Sequence, residues 1–66
     1  MNIEANDVVQ IVPEHEWGGC FLLVTKVKSW GIQGYVQVPL NGQAYIRLKH
    51  EDYVKIGKAE FVLDAN

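Results

Sequence analysis

Residues 35–49, with the sequence YVQVPLNGQAYIRLK, are typical of a β-hairpin, and this stretch decides the fold. Apolar and polar residues alternate on both sides of Asn41-Gly42, a dipeptide favoured in tight hairpin turns. Because successive side chains of a strand point to opposite faces, the alternation separates a core face from an outward face. The residues predicted to point inward are Val36, Val38, Ala44, Ile46 and Leu48. Those predicted to point outward are Tyr35, Gln37, Tyr45, Arg47 and Lys49.

Strand patterns continue toward the N-terminus of this hairpin. Residues 7–12 form a β-branched run that ends at Pro13, which cannot donate a ladder hydrogen bond. Residues 20–28 predict a second strand, and residues 30–34 predict a turn region before the hairpin. The sequence therefore places two strands ahead of the hairpin.

The segment after the hairpin predicts a helical turn and a last strand. Residues 50–53 are too few for a stable helix and favour a single helical turn. Residues 54–57 and 59–63 predict one bent strand, or two short ones, interrupted at Gly57. No pattern predicts a helix of ordinary length.

Length and composition predict a single small globular domain over residues 1–66. The chain has 48% hydrophobic and 21% charged residues, which is typical of folded domains. It has no apolar run long enough for a membrane span, and its first residues do not resemble a secretory signal. Its one cysteine, Cys20, cannot form an internal disulfide, which favours a reducing compartment. We therefore predict a cytoplasmic location.

Five short strands predict an all-β domain that buries one face by curling into a small barrel. An open β-roll of the same strands is the alternative. The predicted core consists of Val9, Ile11, Leu22, Val24, Val27, Val36, Val38, Ile46, Leu48, Ile56 and Phe61.

Two family resemblances follow from these patterns. The opening Asp7–Val12 run, the Gly18-Gly19 pair before a long strand and the central hairpin resemble an SH3-like barrel of the KOW type, over roughly residues 6–63. Residues 27–39 also resemble small bacteriophage and prophage proteins of uncharacterised function. These resemblances imply a five-stranded barrel in the cytoplasm of a bacterial host. The acidic loop and aromatic cluster of peptide-binding SH3 domains do not align here, so no ligand residue is implied.

Catalytic and metal-binding motifs are absent from the sequence. The spacing of His15, Cys20 and His50 matches no zinc pattern, and His15 has no second histidine four residues later. Gly18-Gly19 lacks the lysine and helix of a phosphate-binding loop. We predict that the protein is not an enzyme and uses no cofactor or metal.

Charge is distributed unevenly along the chain, although the net charge is only −2. Residues 1–20 contain four acidic residues and no lysine or arginine, residues 21–50 contain four basic residues and no acid, and residues 51–66 contain four acidic residues and two lysines. The basic segment also contains tyrosines, and such a combination binds single-stranded nucleic acid in other proteins. The residues predicted for this alternative function are Lys26, Lys28, Tyr45, Arg47 and Lys49.

Exposed aromatic residues favour association with a protein as the main function. Trp17 and Trp30 lie beside glycines in predicted loops, where each is either an interface anchor or a lid on the core. The partner is predicted to be a host or phage protein, or a second copy in a homodimer. The residues predicted to bind it are Trp17, Trp30, Tyr35, Gln37, Tyr45 and Arg47.

Overall fold

A computed structural model describes residues 3–38 and 42–59 as five β-strands and one short 3-10 turn. The strands are β1 (Asp7–Ile11), β2 (Phe21–Val27), β3 (Gly31–Val38), β4 (Gly42–Lys49) and β5 (Tyr53–Lys58), with the 3-10 turn at His50–Asp52. All neighbouring strands are antiparallel, and their order across the sheet is β4-β3-β2-β1-β5. Within the described ranges, no helix is long and apolar enough to cross a membrane.

The all-β class, the five strands and the helical turn are confirmed. Of the predicted strand at residues 59–63, Ala59 lies after the end of β5 and residues 60–63 lie outside the described residues. In the central hairpin, β3 and β4 are paired from Gly31 opposite Lys49 to Val38 opposite Gly42. Gly42, predicted to belong to the turn, is the first residue of β4, and residues 39–41 lie outside the described residues. β4 and β5 are the two edges of the sheet, and no pairing joins them within residues 3–38 and 42–59. The sheet is therefore open rather than a closed barrel, as in the alternative arrangement of the same strands.

Two irregularities bend the sheet. The register of β2 against β3 shifts between Val24 and Lys26, and that of β1 against β5 shifts between Val8 and Val9. Bulges of this kind increase the local bend and twist of a strand. At Gly34 the strands approach so closely that a Cβ would overlap the Leu23 carbonyl oxygen and lie 2.6 Å from Cδ2 of Leu22. Glycine at this position allows β2 to pack tightly across β3.

The core is formed by one face of the bent sheet and includes residues from all five strands. These buried residues are Val9, Ile11, Leu22, Val24, Ile32, Val36, Leu48 and Tyr53. Ile3, Trp17, Cys20 and Ile46 pack around this cluster and are partly buried. Hydrophobic burial on this single face is the main source of stability available to a chain of this length.

Two predicted core residues are wrong. Val27 is 41% exposed because it is the last residue of β2, beside the hairpin turn. Ile56 is 56% exposed because it lies in the edge strand β5, at the shift between the Val8 and Val9 pairings. Both occur in apolar stretches, but neither position is covered by a neighbouring element. Phe61 and the side chain of Val38 lie outside what the structure describes.

The predicted turn at residues 30–34 is also corrected. β3 begins at Gly31, and the N–H groups of Lys28 and Gly31 each donate to the other residue's carbonyl, at 2.8 Å and 3.3 Å. The turn thus contains only Ser29 and Trp30. Because Ile32 belongs to the strand, it points inward and is fully buried, which the turn assignment missed.

Asp7 is a buried carboxylate that joins the first and last strands. Its side chain has no exposed surface, and its Oδ2 accepts a hydrogen bond from the Glu4 N–H at 2.8 Å. Nζ of Lys55 lies 3.3 Å from Oδ2, and Nζ of Lys58 lies 3.4 Å from Oδ1. Lys58 also donates to Oε2 of Glu4 at 3.0 Å. This cluster connects β1 and the segment before it to β5.

The cluster shifts the pKa values of its members. The hydrogen bond from the Glu4 N–H lowers the pKa of the Asp7 carboxyl below 3.8. Burial opposes this shift, whereas Lys55 and Lys58 lower the pKa further. The hydrogen bond to Glu4, followed by that to Asp7, raises the pKa of the Lys58 ammonium above 10.5. Folding is therefore favoured by the Asp7 charge above pH 3.8, and this contribution is lost as the pH falls through the lower folded-state pKa.

We expect Asp7→Asn to lower the melting temperature at neutral pH, because an amide retains an acceptor for the Glu4 N–H but loses both ion pairs. Thermal unfolding followed by circular dichroism from neutral to acidic pH measures the effect. The difference from the wild type should shrink as the pH falls below 3.8. A difference that stays constant down to the acid limit would contradict a stabilising charge on Asp7.

Candidate binding face on the sheet

The face of the sheet opposite the core carries exposed side chains, and we call it the outer face. Its central row crosses four strands. Val8 pairs with Leu23, Leu23 with Tyr35, and Tyr35 with Tyr45. Gly57 of β5 pairs with Val8 and ends the row without a side chain. The row therefore presents two aliphatic side chains followed by two tyrosines.

The apolar character extends to a neighbouring row at one end of the outer face. There Gln10 of β1 pairs with Phe21 on one side and Val54 on the other. Phe21 is 54% exposed and Val54 is 59% exposed. We call Val8, Phe21, Leu23 and Val54 together the apolar end. Large apolar side chains are thus present on both faces of this sheet.

The two tyrosines form an ordered pair in the middle of the outer face. Their ring centroids are 4.9 Å apart, and the planes meet at 66° in an edge-to-face arrangement. The Tyr45 hydroxyl lies 3.0 Å from Oγ1 of Thr25 and 3.4 Å from Oε1 of Gln33. Thr25 also donates to the Gln33 carbonyl at 3.2 Å. These bonds hold the Tyr45 ring in place while about half of its surface stays exposed.

Basic residues gather at the opposite end of the outer face. Gln33 pairs with Lys26 on one side and Arg47 on the other. One row further on, Gly31 pairs with Lys49 and exchanges backbone hydrogen bonds with Lys28. We call this group the basic end, and it consists of Lys26, Lys28, Arg47 and Lys49. All four side chains are exposed, and none forms an ion pair with another described residue.

The acidic residues of the described chain lie off these rows. Glu4 and Asp7 are paired with Lys55 and Lys58. Glu14 and Glu16 are in the connection between β1 and β2, and Glu51 and Asp52 are in the 3-10 turn after β4. The uneven charge pattern of the sequence therefore becomes, in three dimensions, a basic end on one face of the sheet.

The structure brings four of the six residues predicted to bind a protein onto the outer face. Tyr35, Gln37, Tyr45 and Arg47 alternate with core residues along β3 and β4. Nε2 of Gln37 donates to the Gly42 carbonyl at 3.4 Å. The residues predicted for nucleic-acid binding also gather on this face, because the basic end directly adjoins Tyr45.

The two tryptophans are placed differently from each other. Trp17 is partly buried against the core, which fits a lid, and its backbone N–H donates to Nδ1 of His15 at 3.1 Å. Trp30 occupies the β2–β3 turn and is 46% exposed. It lies roughly 17 Å along the strand from Tyr35, at about 3.4 Å per residue. Trp30 is therefore exposed near the basic end and apart from the tyrosine pair.

Sequence reasoning missed the apolar end. Residues 20–28 predicted a strand, but its outward residues were not assigned to a site. The alternation of β2 contained the necessary signal, because Leu22 and Val24 point inward and leave Phe21 and Leu23 on the other face. The same alternation in β1 and β5 places Val8 and Val54 on the outer face, once the pairing of those strands is known.

His50 connects the turn of the basic end to the core. Its Nε2 lies 2.9 Å from the Lys28 carbonyl oxygen, and its Nδ1 lies 2.6 Å from the Tyr53 hydroxyl. Because a carbonyl oxygen only accepts, Nε2 is the donor in the bond to Lys28. Burial, followed by the charge of Asp7, raises the pKa of Tyr53 above 10.0, so this hydroxyl remains a donor at neutral pH.

The other sulfur and nitrogen groups lie apart from one another. Cys20 is partly buried against the core, whereas His15 accepts a hydrogen bond within its own loop. Residues 3–38 and 42–59 contain no group of three His, Cys, Asp or Glu residues placed to hold a metal ion. The same described ranges enclose no pocket.

Comparison with known proteins adds no relative. No family model, curated protein or solved structure matches this chain.

We expect the two tryptophans to differ in their contributions to stability. Trp17→Ala should lower the free energy of unfolding by about 1–3 kcal/mol, because the ring packs against the core. Trp30→Ala should change it by less than about 1 kcal/mol, because the ring is exposed. Urea denaturation of both variants measures these values. A larger loss for Trp30→Ala than for Trp17→Ala would reverse the assignment.

Proposed function

We propose that this protein is a non-enzymatic binding module that associates with another protein through its outer face. The observation that carries the proposal is the exposed apolar end beside an ordered tyrosine pair. Burying apolar surface contributes about 25 cal/mol per Å² to the free energy of association. Covering the apolar side chains of the outer face therefore favours binding of a partner. Contiguous apolar patches on soluble domains commonly mark interaction sites.

The composition of the face suits an interface with a protein. Tyrosine is enriched at such interfaces because it combines a large apolar ring with a polar hydroxyl. Here Tyr35 and Tyr45 stand between aliphatic and basic side chains, which gives the surface an apolar part and a polar border. Their backbone positions are fixed by the β3–β4 ladder, so little order has to be imposed on binding.

The partner follows from the resemblance of residues 27–39 to phage and prophage proteins. It is a protein of the bacterial host or of the phage, met in the host cytoplasm, or a second copy of this chain. Trp30 is exposed in the β2–β3 turn, beside the basic end.

Single-stranded nucleic acid is a second candidate ligand, favoured by the position of the basic end. Lys26 and Arg47 lie in the outward row next to the tyrosine pair. A bound strand would place its phosphates against these cations and its bases against the neighbouring rings. The net charge of −2 weighs against this candidate, because non-specific binding depends on neutralising phosphates.

We expect Phe21→Ser to weaken association about tenfold or more, because it removes the most exposed ring of the apolar end. The matched control is Val27→Ser, another exposed apolar residue, whose cross-strand partner Ile32 points into the core rather than outward. Tagged protein is incubated with nuclease-treated bacterial lysate, and self-association is followed separately by analytical ultracentrifugation. Equal association by the two variants would contradict the proposed role of the outer face.

A paired substitution tests the nucleic-acid candidate. Arg47→Glu combined with Lys49→Glu should abolish binding to a fluorescent oligodeoxythymidine, because both residues lie in the basic end. Wild-type binding measured by anisotropy should also weaken steeply as salt rises. Binding that the paired substitution leaves unchanged would exclude the basic end as the site.

A further inference from the structure

The outer face changes in chemical character along the direction of its strands. At one end, Phe21 and Val54 flank Gln10, and at the other Lys49 and Lys28 flank Gly31. Along β3 the distance from Gln37 to Gly31 is roughly 20 Å, at about 3.4 Å per residue. An extended segment of about eight residues has the length needed to cover this distance.

We infer, building on the proposed function, that the partner is a protein segment that is acidic at one end and apolar at the other. Its apolar side chains lie against Phe21, Leu23 and neighbouring residues of the apolar end. Its carboxylates lie against Lys26, Arg47 and the rest of the basic end. The tyrosine pair stands at the boundary between the two parts.

Charge complementarity supports the acidic part. The four cations of the basic end repel one another, and none is neutralised by an ion pair within residues 3–38 and 42–59. The protein does neutralise its other two lysines, Lys55 and Lys58, against Asp7 and Glu4. The planar guanidinium of Arg47 also presents a donor pair that matches a carboxylate.

The distribution of these cations favours a protein ligand over a nucleic acid. A single-stranded nucleic acid carries a phosphate at every nucleotide, so its charge continues along the whole face. Here the cations occupy only one end, and the other end offers the apolar side chains of Phe21 and Val54. A ligand with charge at one end and apolar groups at the other matches this surface along its full length.

The test uses synthetic peptides of about eight residues with a fluorescent label and the full-length protein. The probe has glutamates in its first half and alternating leucine and phenylalanine in its second half. One control peptide replaces the glutamates by lysines, and another has glutamate throughout. We expect the probe to bind about tenfold or more tightly than either control. Equal binding of the lysine peptide, or no binding of the probe, overturns the inference.

Variants of the protein locate the acidic half of the probe. Lys26→Gln combined with Arg47→Gln should weaken probe binding about tenfold and reduce its dependence on salt. Glu14→Gln combined with Glu16→Gln changes the net charge by the same amount in the opposite direction, in the β1–β2 connection. This control should bind as the wild type does. A stronger affinity of the control would show that overall charge governs binding and would overturn the inference.

Two further results separate this inference from the function on which it rests. If Phe21→Ser weakens binding but the paired lysine and arginine variant does not, the outer face is an interface without a preference for acid, and only the inference fails. If Phe21→Ser has no effect on association, the proposed function itself fails. Tighter binding of an oligodeoxythymidine of similar length than of the probe would assign the face to nucleic acid and overturn the inference.

Discussion

The structure depends on the register with which β3 pairs to β2 and β4 at the same time. A shift of one residue would exchange the faces of every side chain in these strands. Gly34 maintains the close approach of β2, because any larger residue would overlap the Leu23 carbonyl. The same register that places Ile32 and Val36 in the core places Tyr35 opposite Tyr45 on the outer face. The core and the outer face are therefore set by one arrangement of the backbone.

The pairing of β1 with β5 holds the remaining part of the sheet. Asp7 interacts with two lysines of β5, and the Glu4 N–H completes its contacts. A buried carboxylate is unfavourable unless it is paired, so this cluster favours one alignment of β1 against β5. That alignment pairs Val54 with Gln10, whose other neighbour across the sheet is Phe21 of β2. The apolar end thus relies on an ionic cluster formed outside it.

Sequence reasoning was most successful where the alternation was regular. The hairpin of β3 and β4 was predicted with its inward and outward residues, because polar and apolar positions there alternate without interruption. The method was weaker at strand ends and bulges. Val27 and Ile56 are apolar but exposed, and Ile32 was hidden in a predicted turn. Local pattern does not reveal whether another strand covers a residue.

The sequence by itself determined the all-β class, the approximate strands, a helical turn near residues 50–53 and the alternation of the central hairpin, because these depend on local periodicity and turn chemistry. Only the tertiary structure decided that the sheet is open within residues 3–38 and 42–59, and which residues gather on its outer face. Gln10 and Val54 become neighbours through the pairing of β1 with β5, two strands that are distant in the chain. Such long-range pairings depend on bulges, close approach at glycine and a buried charge, whose combined geometry is not contained in any single stretch of residues.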